Sequence, residues 1–204
     1  MTLLGFDTSQ RERHSGGLAG VDEAGRGCLA GPVVAAAVML PPGVDVPGVA
    51  DSKTLKAAER ETLRGHIEAV ALAVGVGSCS PEEIDRLNIL HAAMEAMRRA
   101  VADLRNPRTG EAMTPAFVLV DGNRLPPNLP CPAEAVVKGD GKSLSVAAAS
   151  IVAKTTRDAL MRDLAREHPA YGFERHAGYP TAAHYAALAA HGPSVHHRRT
   201  FRLA

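Results

Sequence analysis

Leu18 to Val21 forms a short apolar run that stops at Asp22-Glu23. Beyond a glycine-rich turn (Gly25, Gly27, Gly31), Val33 to Leu40 is β-branched and alanine-rich up to Pro41-Pro42. This pattern predicts two strands joined by a turn. Leu55, Leu63, Ile67 and Val70 recur among charged residues from Thr54 to Val70, predicting a helix, and Ala71 to Val76 predicts another strand. Ser80-Pro81-Glu82-Glu83 joins an N-cap serine, proline at the first helical position and glutamate at the third. A helix therefore begins there and runs, with a break near Asn88, to Leu104. Asn106 to Pro115 is a polar loop, Ala116 to Val120 a strand of buried type, Leu125 to Pro132 a proline-rich loop and Val136-Val137 a short strand. Ser143 to Glu167 is a long alanine-rich helical pattern ended by His168-Pro169, and Thr181 to Ala190 is a last helix closed by Gly192-Pro193. Strands come first and helices follow, which predicts an α/β chain with a mixed central sheet flanked by helices.

The 204 residues, 46% hydrophobic and 22% charged, suffice for one sizeable core, so a single domain over 1–204 is expected. The longest uncharged stretch, Cys28 to Val44, is interrupted by glycine and proline and falls short of the ~20 apolar residues of a membrane span. Met1 to Gly17 lacks the apolar run of a secretion signal, and the expected location is the cytoplasm. Cys28, Cys79 and Cys131 are odd in number and form no CxxC pair, a pattern of reduced thiols. Five of the nine histidines lie between His176 and His197 without HExxH or regular spacing, and read as helix faces and tail rather than a zinc site. The net charge of +1 announces no nucleic-acid partner, but Lys154 to Ala204 holds eight Lys or Arg against four acids. Such a quarter can meet phosphates, or be an ordinary solvated helix face followed by a tail.

Acidic residues stand where three apolar runs stop: Val21-Asp22-Glu23, Val120-Asp121-Gly122 and Val137-Lys138-Gly139-Asp140. Asp22 and Glu23 can address one place only if the strand ends between them and the backbone turns at Ala24-Gly25. Neighbouring strand ends lie about 5 Å apart, so carboxylates there converge and repel unless protonated or bridged by a cation. Mg²⁺ takes such oxygen ligands, and two such ions can serve phosphodiester hydrolysis. Each position also has an ordinary reading: the start of a glycine-rich turn, a turn dipeptide at Asp121-Gly122, and a helix cap at Asp140.

The run Gly20-Val21-Asp22-Glu23-Ala24-Gly25-Arg26-Gly27 with Ala30-Gly31-Pro32-Val33 resembles the opening motif of the ribonuclease HII family. Asp51-Ser52-Lys53-Thr54-Leu55, Val120-Asp121-Gly122, and Lys138-Gly139-Asp140 leading to Ala147 to Lys154 and Arg157-Asp158 resemble its next motifs, in order. Tyr171-Gly172-Phe173, His176, Gly178-Tyr179-Pro180-Thr181, His184 and His197 to Phe201 resemble its C-terminal motif and tail. The resemblance implies a ribonuclease H-like fold, with a core over about 18–165 and a helical C-terminal extension over about 166–204. It implies that Asp22, Glu23, Asp121 and Asp140 hold two Mg²⁺ or Mn²⁺ ions, Asp22 being shared by both. The implied activity is hydrolysis of the RNA strand of RNA–DNA hybrids and nicking of DNA duplexes at single embedded ribonucleotides, leaving 5′-phosphate and 3′-hydroxyl ends. Gly25-Arg26-Gly27 would offer backbone groups to the 2′-hydroxyl, and Tyr179 would pack on the adjacent sugar. A tyrosine there is otherwise ordinary core filler. Ser52 and Lys53 would lie near the nucleic-acid backbone, or be a helix cap with a solvated lysine. Arg198 and Arg199 are assigned to phosphates, with an exposed basic tail as the other reading. A monomer with no membrane and no obligate protein partner is expected. A non-catalytic hybrid-binding module of the same fold is the alternative, against which the four intact carboxylates stand. Ala177 departs from the lysine common in the family at that position, and the Asn106 to Pro115 loop is longer than usual. The spacing of Gly25, Gly27 and Gly31 fails the dinucleotide-binding fingerprint by one place, and Val136 stands where a P-loop needs its first glycine.

Overall fold

The computed structural model describes residues 2–14, 16–49 and 55–204; Ser52 and Lys53 lie outside the described residues. Five strands form one mixed sheet: β1 (Leu18–Ala24), β2 (Val33–Met39), β3 (Ala73–Cys79), β4 (Phe117–Asp121) and β5 (Ala133–Val136), in the order β3-β2-β1-β4-β5. β2 runs antiparallel to both neighbours, whereas β4 lies parallel to β1 and to β5. Every residue of β2 is buried. This is why its sequence reads as an unbroken apolar run without alternation: helices cover both faces.

One face carries α4 (Ile89–Ala102), whose Ala92, Ala93, Ala96 and Ala100 pack with Val21, Ala35 and Ala37. On the other lie α5 (Leu144–Glu167) and α2 (Ala57–Val70), which bury Ala147, Ile151, Leu63 and Ile67 with Ala36 and Val38. Gly20 allows α5 to start against β1: a Cβ there would stand 2.2 Å from the backbone of Ser145 and Val146. The helix that carries Ser150 and Lys154 is thereby laid along the strand that carries Asp22.

The capping box at Ser80 and Glu83 opens α3 (Pro81–Leu87), and Asn88, at φ 65, breaks it from α4 while its side chain caps Leu90 and His91. Other boundaries differ from expectation. β3 runs Ala73–Cys79 rather than Ala71 to Val76, and the short strand near Val136 is Ala133–Val136. A helix the sequence did not announce, α1 (Leu3–His14), precedes the sheet. It has apolar residues only at Leu3, Leu4 and Phe6 and therefore no amphipathic signal. It docks instead through buried Asp7, which accepts hydrogen bonds from Ser143 Oγ (2.6 Å), Ser145 N (2.9 Å) and Ser145 Oγ (2.6 Å) at the start of α5. The C-terminal region adds α6 (Phe173–His176) and α7 (Ala182–His191), seated on the far half of α5 by Phe173 and Tyr171 against Met161 and Ala165. Among the described residues no helix is long and apolar enough to cross a membrane.

Candidate active site

β1 does not end between Asp22 and Glu23: it pairs with β2 as far as Ala24. The chain turns only after Ala24, at Gly25 to Cys28. The Cβ atoms of Asp22 and Glu23 leave the strand on opposite sides, yet the two carboxyls act on one another and Glu23 reaches the cavity lined by Ser150. Asp22 is 6% exposed and hydrogen-bonded to Ser150 of α5, with its Oδ1 accepting from the Glu23 N–H at 2.7 Å. Glu23 borders α4 near Leu90 and Met97 and is held by Arg26 at 3.2 Å. The parallel pairing Val21↔Val120 sets Asp121 beside Asp22 on the neighbouring strand. Burial first, and then the charges of Glu23 and Asp121, push the Asp22 carboxyl well above the ordinary carboxylate range. Burial lifts Glu23 too, against the opposing pull of Arg26.

Asp140 sits in a single 3-10 turn, Gly139–Gly141, between β5 and α5. Lys138, at φ 56, turns the chain into it, and the Gly139 N–H donates to Asp121 Oδ1 at 2.6 Å. The turn bearing Asp140 is thus tied to Asp121. No three of the four carboxylates offer oxygens within 4.8 Å of one another. Buried Asp22 with the charges of half-buried Glu23 and Asp121 beside it suits hard divalent cations, whose charge lowers the cost of ionising Asp22.

Beside the acids opens a cavity of about 420 Å³, lined by Glu23, Gly25 to Gly27, Arg60, Ser150, Lys154 and Tyr179. The structure so brings the predicted glycine loop and Tyr179 together with an acid. Two buried guanidiniums shape this loop. Arg157 donates to the carbonyls of Pro32 (2.9 Å), Ala177 (2.9 Å) and Ala30 (3.0 Å), and Arg198 to those of Gly31 (3.0 Å), Arg26 (2.9 Å) and Gly25 (2.7 Å). Gly25 is required twice over: its φ is +94°, and a Cβ would collide with Arg157 Nε at 2.0 Å. Tyr179 is 41% exposed, so it is not core filler; its ring stands 5.9 Å from Lys154 Nζ and its hydroxyl meets Cys28.

Arg198 is 0% exposed. Its assignment to phosphates is therefore corrected: its donors are taken by loop carbonyls. Arg199 is exposed but leans on the carbonyls of Pro193 and Ser194, away from the cavity. Ala177 sits at φ 46 with its carbonyl on Arg157. The sequence assigns no site role to Arg60, Ser150 or Lys154, although the last two fall within the motif from Ala147 to Lys154. Ser150 and Lys154 lie four apart on α5 and so share a helix face, a signal the sequence did contain. Arg60 is one of the charged residues of the helical pattern from Thr54 to Val70 and carries no signal of its own.

The family model for ribonuclease HII matches residues 19–204. The ribonuclease HII of Salinibacter ruber is 56% identical over 189 residues, 91% of either chain, and that of Maricaulis maris 58% identical over 184 residues, 90% of this chain and 81% of the relative. The crystal structure of ribonuclease H2 from Pyrococcus horikoshii superposes with a TM-score of 0.73 at 28% identity, covering 92% of this chain and 95% of that one. The ribonuclease HII of Archaeoglobus fulgidus, solved in complex with PCNA, also gives 0.73, at 27% identity over 92% of this chain and 96% of that one. A ribonuclease H-like sheet, strand-end carboxylates and relatives matched over nearly the whole chain agree: the chain belongs to the ribonuclease HII family of metal-dependent ribonucleases.

Proposed function

We propose that the protein hydrolyses the RNA strand of RNA–DNA hybrids and nicks DNA duplexes on the 5′ side of a lone embedded ribonucleotide. Asp22, Glu23, Asp121 and Asp140 would hold two Mg²⁺ or Mn²⁺ ions, with Asp22 shared. One observation carries the reading: Glu23 and Ser150, the partner of Asp22, line the same cavity as the Gly25 to Gly27 loop and Tyr179. Acids suited to cations thus open onto elements suited to a ribose.

When bound, the ions would supply Lewis acidity at the scissile phosphate and balance the charge of the leaving oxygen. The chain itself does the positioning. The loop fixed by Arg157 and Arg198 turns backbone groups to the 2′-hydroxyl, which distinguishes RNA from DNA. Tyr179 packs on the next sugar, where a deoxyribose fits against a ring face, and Lys154 and Arg60 meet the flanking phosphates. The reaction releases 5′-phosphate and 3′-hydroxyl ends.

Labelled oligonucleotides test this directly. A full hybrid and an all-DNA duplex with one ribonucleotide are both cut in Mg²⁺ or Mn²⁺ and neither in chelator. Hybrid cleavage without cleavage at the lone ribonucleotide would remove the roles of Gly25 to Gly27 and Tyr179. Binding without cleavage of either would leave only a hybrid-binding module.

A further inference from the structure

The one group of three metal-ligating side chains among the described residues whose donor atoms all lie within 4.8 Å of one another is Glu167, His168 and His196. It is far from the carboxylates. Glu167 lies 17 residues beyond Ser150 on α5, a separation of about 25 Å at the helical rise. We propose that these three residues bind one zinc-class divalent ion, in a site separate from the catalytic acids and independent of the reading given to them.

Three observations support the assignment. First, the backbones that present the ligands are fixed before any ion arrives. His168 caps α5 with its N–H on Leu164 O (2.9 Å), while His196 donates to Ser194 Oγ (3.2 Å) and accepts from the Gly31 N–H (2.9 Å). Second, the two imidazoles stand edge to face at 4.9 Å, yet among the described residues no protein atom hydrogen-bonds to a ring nitrogen of either. Their neighbours differ in this respect: His176, His184 and His197 all have ring nitrogens engaged. Third, both rings are half-buried whereas Glu167 is exposed, so an ion there keeps a position open to water. Two imidazoles and one carboxylate favour Zn²⁺ or a similar transition ion, and Mg²⁺ prefers an all-oxygen shell.

Such an ion would staple the end of α5 to the C-terminal segment. Two residues past His196 that segment carries Arg198, which holds the carbonyls of Gly25 and Arg26. The ion would therefore stiffen the strap behind the ribose-reading loop without touching substrate.

The test is Zn²⁺ titration into chelator-stripped protein in excess Mg²⁺, which occupies the carboxylate centre. Binding is read by competition with a chromophoric chelator, and thermal unfolding is recorded in parallel. Expected are one Zn²⁺ per chain, a raised Tm, and both effects retained in Asp22→Asn. His196→Gln weakens affinity by at least about tenfold, the smaller cost of losing even an outer partner of a metal ligand, and removes the Tm gain. If His168→Gln disturbs the cap of α5, His196→Gln and the exposed Glu167→Gln carry the test, since neither side chain supports the backbone bonds described. No bound zinc, undiminished binding in the His196 and Glu167 variants, or loss of binding in Asp22→Asn would each overturn the assignment.

Discussion

Asp22 is a residue on which stability and function oppose each other. Its carboxyl is buried beside Glu23 and Asp121, and without a cation its ionised form is disfavoured. Asp22→Asn keeps an oxygen for the Glu23 N–H and removes one of the crowding charges. The variant is expected to lose turnover by orders of magnitude yet unfold a few degrees higher than wild type in chelator, at about 2–4 °C per kcal/mol for a chain of this size. Calorimetry with and without Mg²⁺ checks it; a lowered Tm in chelator would mean that Asp22 is not strained by its neighbours. Arg198 makes the complementary case. Burial, foremost, pulls its pKa down to about 10, so it stays charged at neutral pH with three carbonyls around it. Arg198→Met is expected to cost about 3 kcal/mol, roughly 1 for each carbonyl left unpaired. It should also lower kcat/KM at a lone ribonucleotide more than on a full hybrid. Equal losses on both substrates would mean that Arg198 supports the fold alone.

Between elements, a histidine pair joins α7 to the C-terminal strap. His184 Nε2 and His197 Nε2 are 3.0 Å apart, with His176 stacked on His184 at 4.5 Å and Tyr171, His196 and Arg199 nearby. One nitrogen must donate and the other accept, so the pair is sound only while one proton is shared. Burial lowers both imidazoles, and His197, further depressed by His184 and Arg199, falls to about 4. A folded-state value below the unfolded one of 6.5 means that this stabilisation is complete above pH 6.5 and is lost as pH falls towards 4. Tm measured across that window in chelator should drop more steeply for wild type than for His197→Gln; parallel curves would exclude the pair as the cause. The same comparison of elements shows what the sequence left unread. The break at Asn88 and the capping box at Ser80 and Glu83 are local and were legible. α1 was not, because its fit rests on Asp7 capping a helix that begins 136 residues later in the chain.

Across the whole molecule, the basic C-terminal quarter is smaller in effect than its charge count suggests. Arg157 and Arg198 are buried, and Lys154 pairs with Asp158 at 2.6 Å while lining the cavity. Cations that face the cavity should set the salt dependence of hybrid binding. Lys154→Ala and Arg26→Ala are each expected to make the slope of log K against log salt shallower by about 1, and Arg199→Ala to leave it unchanged. A shallower slope from Arg199→Ala alone would move the nucleic-acid track to the tail.

What the chain specified by itself is the set of local signals: strand-ending acids, caps, the glycine loop and the order of motifs, all written within a few residues of where they act. Only the tertiary structure decided that β1 continues through Asp22 and Glu23 and turns after Ala24, because pairing with β2 extends a strand past the point where its apolar run stops. It also decided that Arg198 belongs to the loop and not to solvent, and that His168 and His196, 28 residues apart, bring ring nitrogens within 4.8 Å of each other. Burial and proximity between remote segments are properties of packing, and no local pattern encodes them.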